Sequence, residues 1–186
     1  MKKSIRQAQS IVGVSPGRPS DDFYPTPRAA TEAILDRETF AGGVWECACG
    51  DGAISKVLED YGYYVVSTDL YDRRYGISNI DFLKTKRLKA PNIMTNPPFK
   101  LADDFVRHAI HDLKCQKLIL LAKLAFLEGQ RRTEMLERTP LSHVYVFRKR
   151  LTMTRRGEKQ RNSGMIAFAW FVWEEYYTGK PRISWI

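Results

Sequence analysis

Short apolar runs of β type alternate along this chain with segments whose apolar residues recur at helical spacing. The alternation predicts an α/β domain. Arg28 to Leu35 reads as a helix behind the Pro25-Thr26-Pro27 turn. Val44-Trp45 opens a strand that runs into Gly50 and Gly52 before a helical pattern from Ile54 to Tyr61. Tyr64 to Asp69 reads as a second strand, Asn79 to Leu83 as a short third edge, and Ile93-Met94 as the end of a buried strand. Ala102 to Leu113 follows as a helix with Phe105, Ala109 and Leu113 on one face. Leu118 to Leu121 then predicts a buried strand and Arg131 to Glu137 part of a helix. Val144 to Phe147 and Ile166 to Trp173 are the final strands, with Trp170 and Trp173 as packing residues.

The candidate chemistry sits at the strand ends. Asn96-Pro97-Pro98-Phe99 closes the Ile93-Met94 run, which places it at the carboxyl edge of a sheet, where the ligand sites of open α/β folds lie. Proline at 97 and 98 fixes φ and removes two backbone donors, so the neighbouring carbonyls can face a ligand. The Asn96 side-chain oxygen and the Pro97 carbonyl can accept both N–H bonds of an exocyclic amine, with Phe99 against the ring. The same residues also make an ordinary strand-terminating turn.

Upstream, Gly50 and Gly52 follow a strand and precede a helix. They permit backbone angles closed to other residues and clear the loop surface for a cofactor. Glu46, near the strand end, can accept hydrogen bonds from a cationic amine. The dinucleotide fingerprint needs a third glycine where this chain has Ser55, and the Gly-Lys-Ser/Thr of a phosphate loop is missing. A tight strand-to-helix turn would read the same way. About twenty residues further on, Asp69 ends the second strand, where an acid can hold ribose hydroxyls or cap a helix. Asp81 and Phe82 suit an adenine amine and ring face, although Phe82 also suits a core.

Taken in that order, together with Asp22-Phe23-Tyr24-Pro25-Thr26-Pro27, these motifs resemble those of the adenine-N6 DNA methyltransferases, which use S-adenosylmethionine. The resemblance covers most of residues 22 to 173. It implies a Rossmann-like class I methyltransferase fold: a mostly parallel seven-stranded sheet with helices on both faces and a C-terminal antiparallel hairpin. It implies methyl transfer to N6 of adenine in DNA, with Asn96, Pro97, Pro98 and Phe99 as catalytic residues. Cofactor contacts fall on Tyr24, Thr26, Glu46, Gly50, Gly52, Asp69, Asp81 and Phe82. The chain departs from the family at Cys49, where an aromatic commonly precedes the first glycine. No separate target-recognition domain of the kind larger members carry is expected. The expected organisation is a flexible basic arm at 1–20 and a single catalytic domain at 21–186. Small enzymes of this kind resemble those of phages and prophages, where methylation protects DNA from restriction.

Composition narrows the partners. With 186 residues, 44% hydrophobic and 27% charged, the chain fits one domain large enough for a covered sheet. No apolar stretch of about eighteen residues occurs, and polar residues follow Met1-Lys2-Lys3, so a soluble cytoplasmic protein without membrane contact is expected. Cys47, Cys49 and Cys115 form no disulfide pattern, and no second Cys or His pair completes a metal site. His108 and His111, three apart on a predicted helix, read as surface histidines. A net charge of +9 and a pI near 9.5 favour a polyanion. Arg148, Lys149, Arg150, Arg155, Arg156, Lys159 and Arg161 crowd between the last two strands as a basic loop for DNA, with RNA also possible. Other acceptors with a planar conjugated nitrogen are RNA bases, cytosine N4 and a protein glutamine amide. A non-catalytic nucleic-acid-binding module on the same fold is the rival of a different class.

Overall fold

Buried apolar runs become strands here, and their partners set the order of one sheet. The computed structural model describes residues 23–153 and 166–186. The strands are β1 (Val44–Glu46), β2 (Val65–Ser67), β3 (Asn92–Thr95), β4 (Lys117–Lys123), β5 (Leu141–Val146), β6 (Phe168–Glu174) and β7 (Arg182–Trp185). They lie in the order β2-β1-β3-β4-β6-β5-β7. β1 pairs in parallel with β2 and β3, β3 with β4, and β5 with β7, whereas β6 runs antiparallel between β4 and β5. The expected antiparallel pair at the end of the chain is thus β5 and β6.

Successive strand residues point to opposite faces, and the two faces carry separate cores. Val44, Met94, Ile119 and Leu121 pack with helix α1 (Arg28–Leu35) and helix α2 (Ser55–Asp60) through Ile34, Leu35, Val57 and Leu58. Trp45, Ile93, Leu118 and Leu120 pack on the other side with α3 (Ala102–Arg107) and α4 (Gln130–Arg138) through Phe105, Val106 and Met135. All four residues of β3 are buried, as a strand covered on both faces requires. Trp170 and Trp173 are fully buried packing residues, with indole N–H bonds to the Ala30 carbonyl at 2.8 Å and Thr139 Oγ1 at 3.0 Å. Among the described residues no helix is long and apolar enough to cross a membrane.

Three local expectations need correction. Asn79 to Leu83 is not a strand. The Asp81 carboxylate accepts the Leu83 N–H at 3.2 Å and starts a 3-10 turn at Phe82–Lys84, leaving a single parallel bridge, Thr68 to Ile77, beside β2. The seventh place in the sheet belongs instead to β7. The helix from Ala102 widens after Arg107 into a π-turn at His108–Asp112, in which Leu113 N–H reaches the His108 carbonyl at 2.9 Å. His108 is consequently not a surface residue. It is buried, bonded through Nδ1 to Asp112 at 2.7 Å, and lies edge-on to Phe82, while His111 is exposed.

From β1 the chain goes outward to β2 and then returns across β1 to β3. That reversal makes the gap beyond the carboxyl ends of β1 and β3 the topological switch point, where crevices form in such sheets.

Candidate cofactor and acceptor site

A cleft of about 780 Å³, open to solvent at its mouth, occupies the switch point. Of the sequence-predicted residues, Tyr24, Thr26, Glu46, Asp69, Asp81, Phe82, Asn96 and Pro98 line it. The structure therefore brings together the ends of β1, β2 and β3, the 3-10 turn at Phe82–Lys84 and the segment before α1. Gly50, Gly52, Pro97 and Phe99 do not line it.

The glycines take the backbone angles expected of them, and distant rings fill the space that their missing side chains leave. Both have positive φ, 57° and 83°. A methyl group at Gly50 would overlap Phe23 Cε2, and one at Gly52 would lie 2.7 Å from the Tyr75 ring. Their missing side chains admit two aromatic rings, and the cleft wall itself is made by Cys49, Asp51 and Ala53. Gly50→Ala is expected to cost about 1–3 kcal/mol of folding stability and to displace Phe23. Gly62→Ala serves as the control, because Gly62 has φ 85° but nothing within 4 Å. A urea melt showing equal losses for both would remove the Phe23 contact from the argument.

Asp69 clamps two loops. Its Oδ2 accepts the Gly50 N–H and its Oδ1 the Tyr71 N–H, each at 2.8 Å, so the acid predicted to hold ribose is first an organiser of the glycine loop. Each oxygen keeps capacity to accept a further hydrogen bond, and Asp69 lines the cleft. Glu46 is fully buried at the end of β1, with Oε1 accepting the Ala48 N–H at 3.1 Å. Burial pushes its carboxyl up to about 8, the Asp69 charge adding to the rise and the Thr95 hydroxyl and the Ala48 hydrogen bond opposing it. Burial, then the charges of Glu46 and Asp69, likewise raises Cys49 to about 12 and keeps it a thiol. Asp81 caps the 3-10 turn and pairs with Lys84 at 2.9 Å. Phe82 is both wall and core, with its ring 4.7 Å from Phe105 and 5.2 Å from Trp45.

Asn96 carries the most informative geometry. Its Nδ2 donates to the Tyr24 carbonyl at 3.2 Å and to Thr26 Oγ1 at 3.0 Å. A carbonyl can only accept, so the orientation of the amide is fixed, and Oδ1 faces away from that segment. This Oδ1 is buried and has no hydrogen-bond partner. An unpaired buried acceptor costs about 1–3 kcal/mol, and such atoms mark places where a donor is received.

Phe99 points elsewhere. It lines a second groove of about 600 Å³ with Lys100, Lys123, Phe126 and Arg132; its ring lies 5.3 Å from that of Phe168 and 5.4 Å from Lys123 Nζ. The Asn96–Phe99 turn thus separates cleft from groove, with Pro97 buried between them. Arg148, Lys149 and Arg150 are exposed just past the carboxyl end of β5. Arg155, Arg156, Lys159, Arg161 and the arm at 1–20 lie outside the described residues. Among the described residues no group of three His, Cys, Asp or Glu side chains is placed to hold a metal ion. Sequence reasoning missed Phe23, Tyr71 and Arg73 in the cleft wall and Tyr75 over Gly52. Only the adjacency of Phe23 to Tyr24 gave any signal for them.

No protein-family profile matches the chain, and no curated protein matches it in sequence. Solved structures do resemble it. A protein from Vibrio vulnificus described as a modification subunit of a type I restriction enzyme matches with a TM-score of 0.60 and 13% identity, over 97% of this chain and 48% of its own. The chain thus spans about half of that subunit. A protein from Pyrococcus horikoshii described as an RNA methyltransferase matches at 0.58 and 17% identity, over 94% of this chain and 98% of its own. Magnesium protoporphyrin IX methyltransferase from Synechocystis, solved with bound S-adenosylmethionine, matches at 0.51 and 15% identity, over 79% of each chain. At these identities the likeness is one of fold, and with the seven-stranded order above it shows that the chain has the Rossmann-like class I methyltransferase fold.

Proposed function

We propose that the protein is an S-adenosylmethionine-dependent methyltransferase that modifies the N6 amine of adenine in DNA. The observation that carries this reading is the buried, unpaired Asn96 Oδ1, aimed by two hydrogen bonds on its own amide and placed beside a cleft at the switch point. The cofactor fits that cleft. Its ammonium and sulfonium suit a wall bearing Glu46, Asp51, Asp69 and Asp81, and its adenine suits the Phe82 ring.

Charge supports the acceptor. The carboxyl edge is acidic on its β1–β2 side, whereas Lys100, Lys123, Arg148, Lys149 and Arg150 gather on its β4–β5 side, with the Asn96–Phe99 turn between. A small cation and a polyanion would meet there.

When bound, the cofactor supplies a methyl group made electrophilic by its sulfonium. Asn96 Oδ1 would accept an N–H bond of N6 and turn its lone pair from the ring toward the methyl carbon. The chemistry the bound cofactor would supply is displacement of its methyl group from sulfur, an N–C bond replacing the C–S bond whose electrons would stay on sulfur; the surplus proton of N6 would pass to water, so Asn96 need only hold and orient the amine. Positioning supplies most of the acceleration. Extrusion of the base from a duplex costs a few kcal/mol.

The test is incubation with tritiated S-adenosylmethionine and unmethylated duplex DNA, followed by digestion to nucleosides. Label in N6-methyladenine is the expected result. Label confined to RNA in a parallel incubation would overturn the DNA assignment and keep the reaction class. Cofactor binding without transfer to any acceptor would favour a non-catalytic binding module.

A further inference from the structure

The cleft is unevenly charged. Glu46, Asp51, Asp69 and Asp81 face it, and Arg73 is the only cationic side chain among the described residues that line it. S-adenosylmethionine brings two positive centres and one negative one, the α-carboxylate of its methionine moiety. Against four acids that carboxylate needs a specific donor.

Backbone donors of the glycine loop are the usual alternative for an anion, and four of them are already committed here. The Ala48 N–H goes to Glu46, Cys49 to the Thr68 carbonyl, Gly50 to Asp69 and Gly52 to the Cys49 carbonyl. We infer that Arg73 binds the α-carboxylate of the cofactor while Glu46 receives the ammonium on the same carbon. The inference rests on the cofactor reading above.

The position of Arg73 supports it. Its guanidinium carbon lies 4.0 Å from the centre of the Phe23 ring and 5.5 Å from that of Tyr71. Phe23 in turn packs on Gly50, at the glycine-loop end of the cleft, and begins the segment that Asn96 anchors at Tyr24 and Thr26. A guanidinium held against aromatic rings has already lost much of its rotamer freedom, so less is lost on binding, and its planar fork matches a carboxylate in two parallel hydrogen bonds.

The test pairs a missing side chain with a missing ligand group. Binding of S-adenosylmethionine and of its decarboxylated analogue is measured by calorimetry for the wild type, Arg73→Ala and Arg73→Lys, with thermal melts to verify folding. Arg73→Ala is expected to weaken S-adenosylmethionine by about 10- to 100-fold and to leave the analogue unchanged, so that the variant no longer distinguishes the two. Arg73→Lys, which keeps the charge without the fork, should retain a several-fold preference for the carboxylate. Equal weakening of both ligands by Arg73→Ala would overturn the inference by assigning the side chain to packing on Phe23. Unchanged S-adenosylmethionine affinity would overturn it outright. A wild type that binds neither ligand would defeat the cofactor reading itself, a result distinct from both.

Discussion

Asn96→Ala lowers the rate of methyl transfer by about 10²- to 10³-fold, the usual cost of losing one aimed hydrogen-bonding group at a reacting centre. The side chain does two jobs with two atoms. Oδ1 is the unpaired acceptor for the amine, and Nδ2 ties the Tyr24–Thr26 segment down over the cleft. Truncation removes both, so cofactor affinity should also fall, but only by the few-fold expected for two ordinary hydrogen bonds in a segment that Phe23 also holds. Thr26→Val separates the jobs. It deletes one of the two anchors, leaves Oδ1 in place, and should reduce transfer by no more than about tenfold. Single-turnover transfer of labelled methyl, set beside calorimetric cofactor binding, reads both quantities. Parallel loss of binding and transfer in Asn96→Ala would make Asn96 a strut and not an acceptor.

The parts of this site visible in the sequence are those that strand ends carry. Glu46, Asp69 and Asn96 each follow a short apolar run, and a parallel sheet delivers all such ends to one edge. The same periodicity located α1 to the residue and the buried strands to within a few positions, because an element covered by a core must show its period. Elements held by single residues were illegible. Asn79 takes φ 60° and Asp81 caps a turn, which a run reading Asn-Ile-Asp-Phe-Leu does not announce. β7 shows no buried face, and Ile183 and Trp185 are more than half exposed, so only its pairing with β5 makes it a strand. The glycine loop lies where the strand-to-helix pattern puts it, but the rings that pack on it were illegible. Its glycines answer to Phe23 and Tyr75, which come from distant loops, and no local spacing encodes such contacts. Phe99 shows the same limit: a tetrad that is continuous in sequence divides between two faces of one turn.

Glu46 makes folding and cofactor binding respond to pH in opposite directions. Burial holds its carboxyl near 8 in the folded protein, against 4.5 as its ordinary value. Between those values the folded chain keeps a proton that the unfolded chain has released, so stability falls as pH rises. The contribution is complete below about 4.5, is lost progressively up to about 8, and amounts to a few kcal/mol. Unfolding in urea should therefore require less denaturant at pH 8 than at pH 5. Glu46→Gln, which stays neutral, should flatten that difference and be the more stable protein at pH 8. Binding runs the other way. A cationic amine favours the carboxylate, so below pH 8 the ligand must expel the proton, and affinity should climb by up to about tenfold per pH unit toward 8. Above that the ligand's own amine begins to lose its charge and the gain stops. Calorimetry at pH 7 in buffers of different ionisation enthalpy should count close to one proton released by the wild type and none by Glu46→Gln. A wild-type affinity that is flat from pH 6 to 8 would mean that Glu46 stays protonated in the complex and is not the acid that receives the cation.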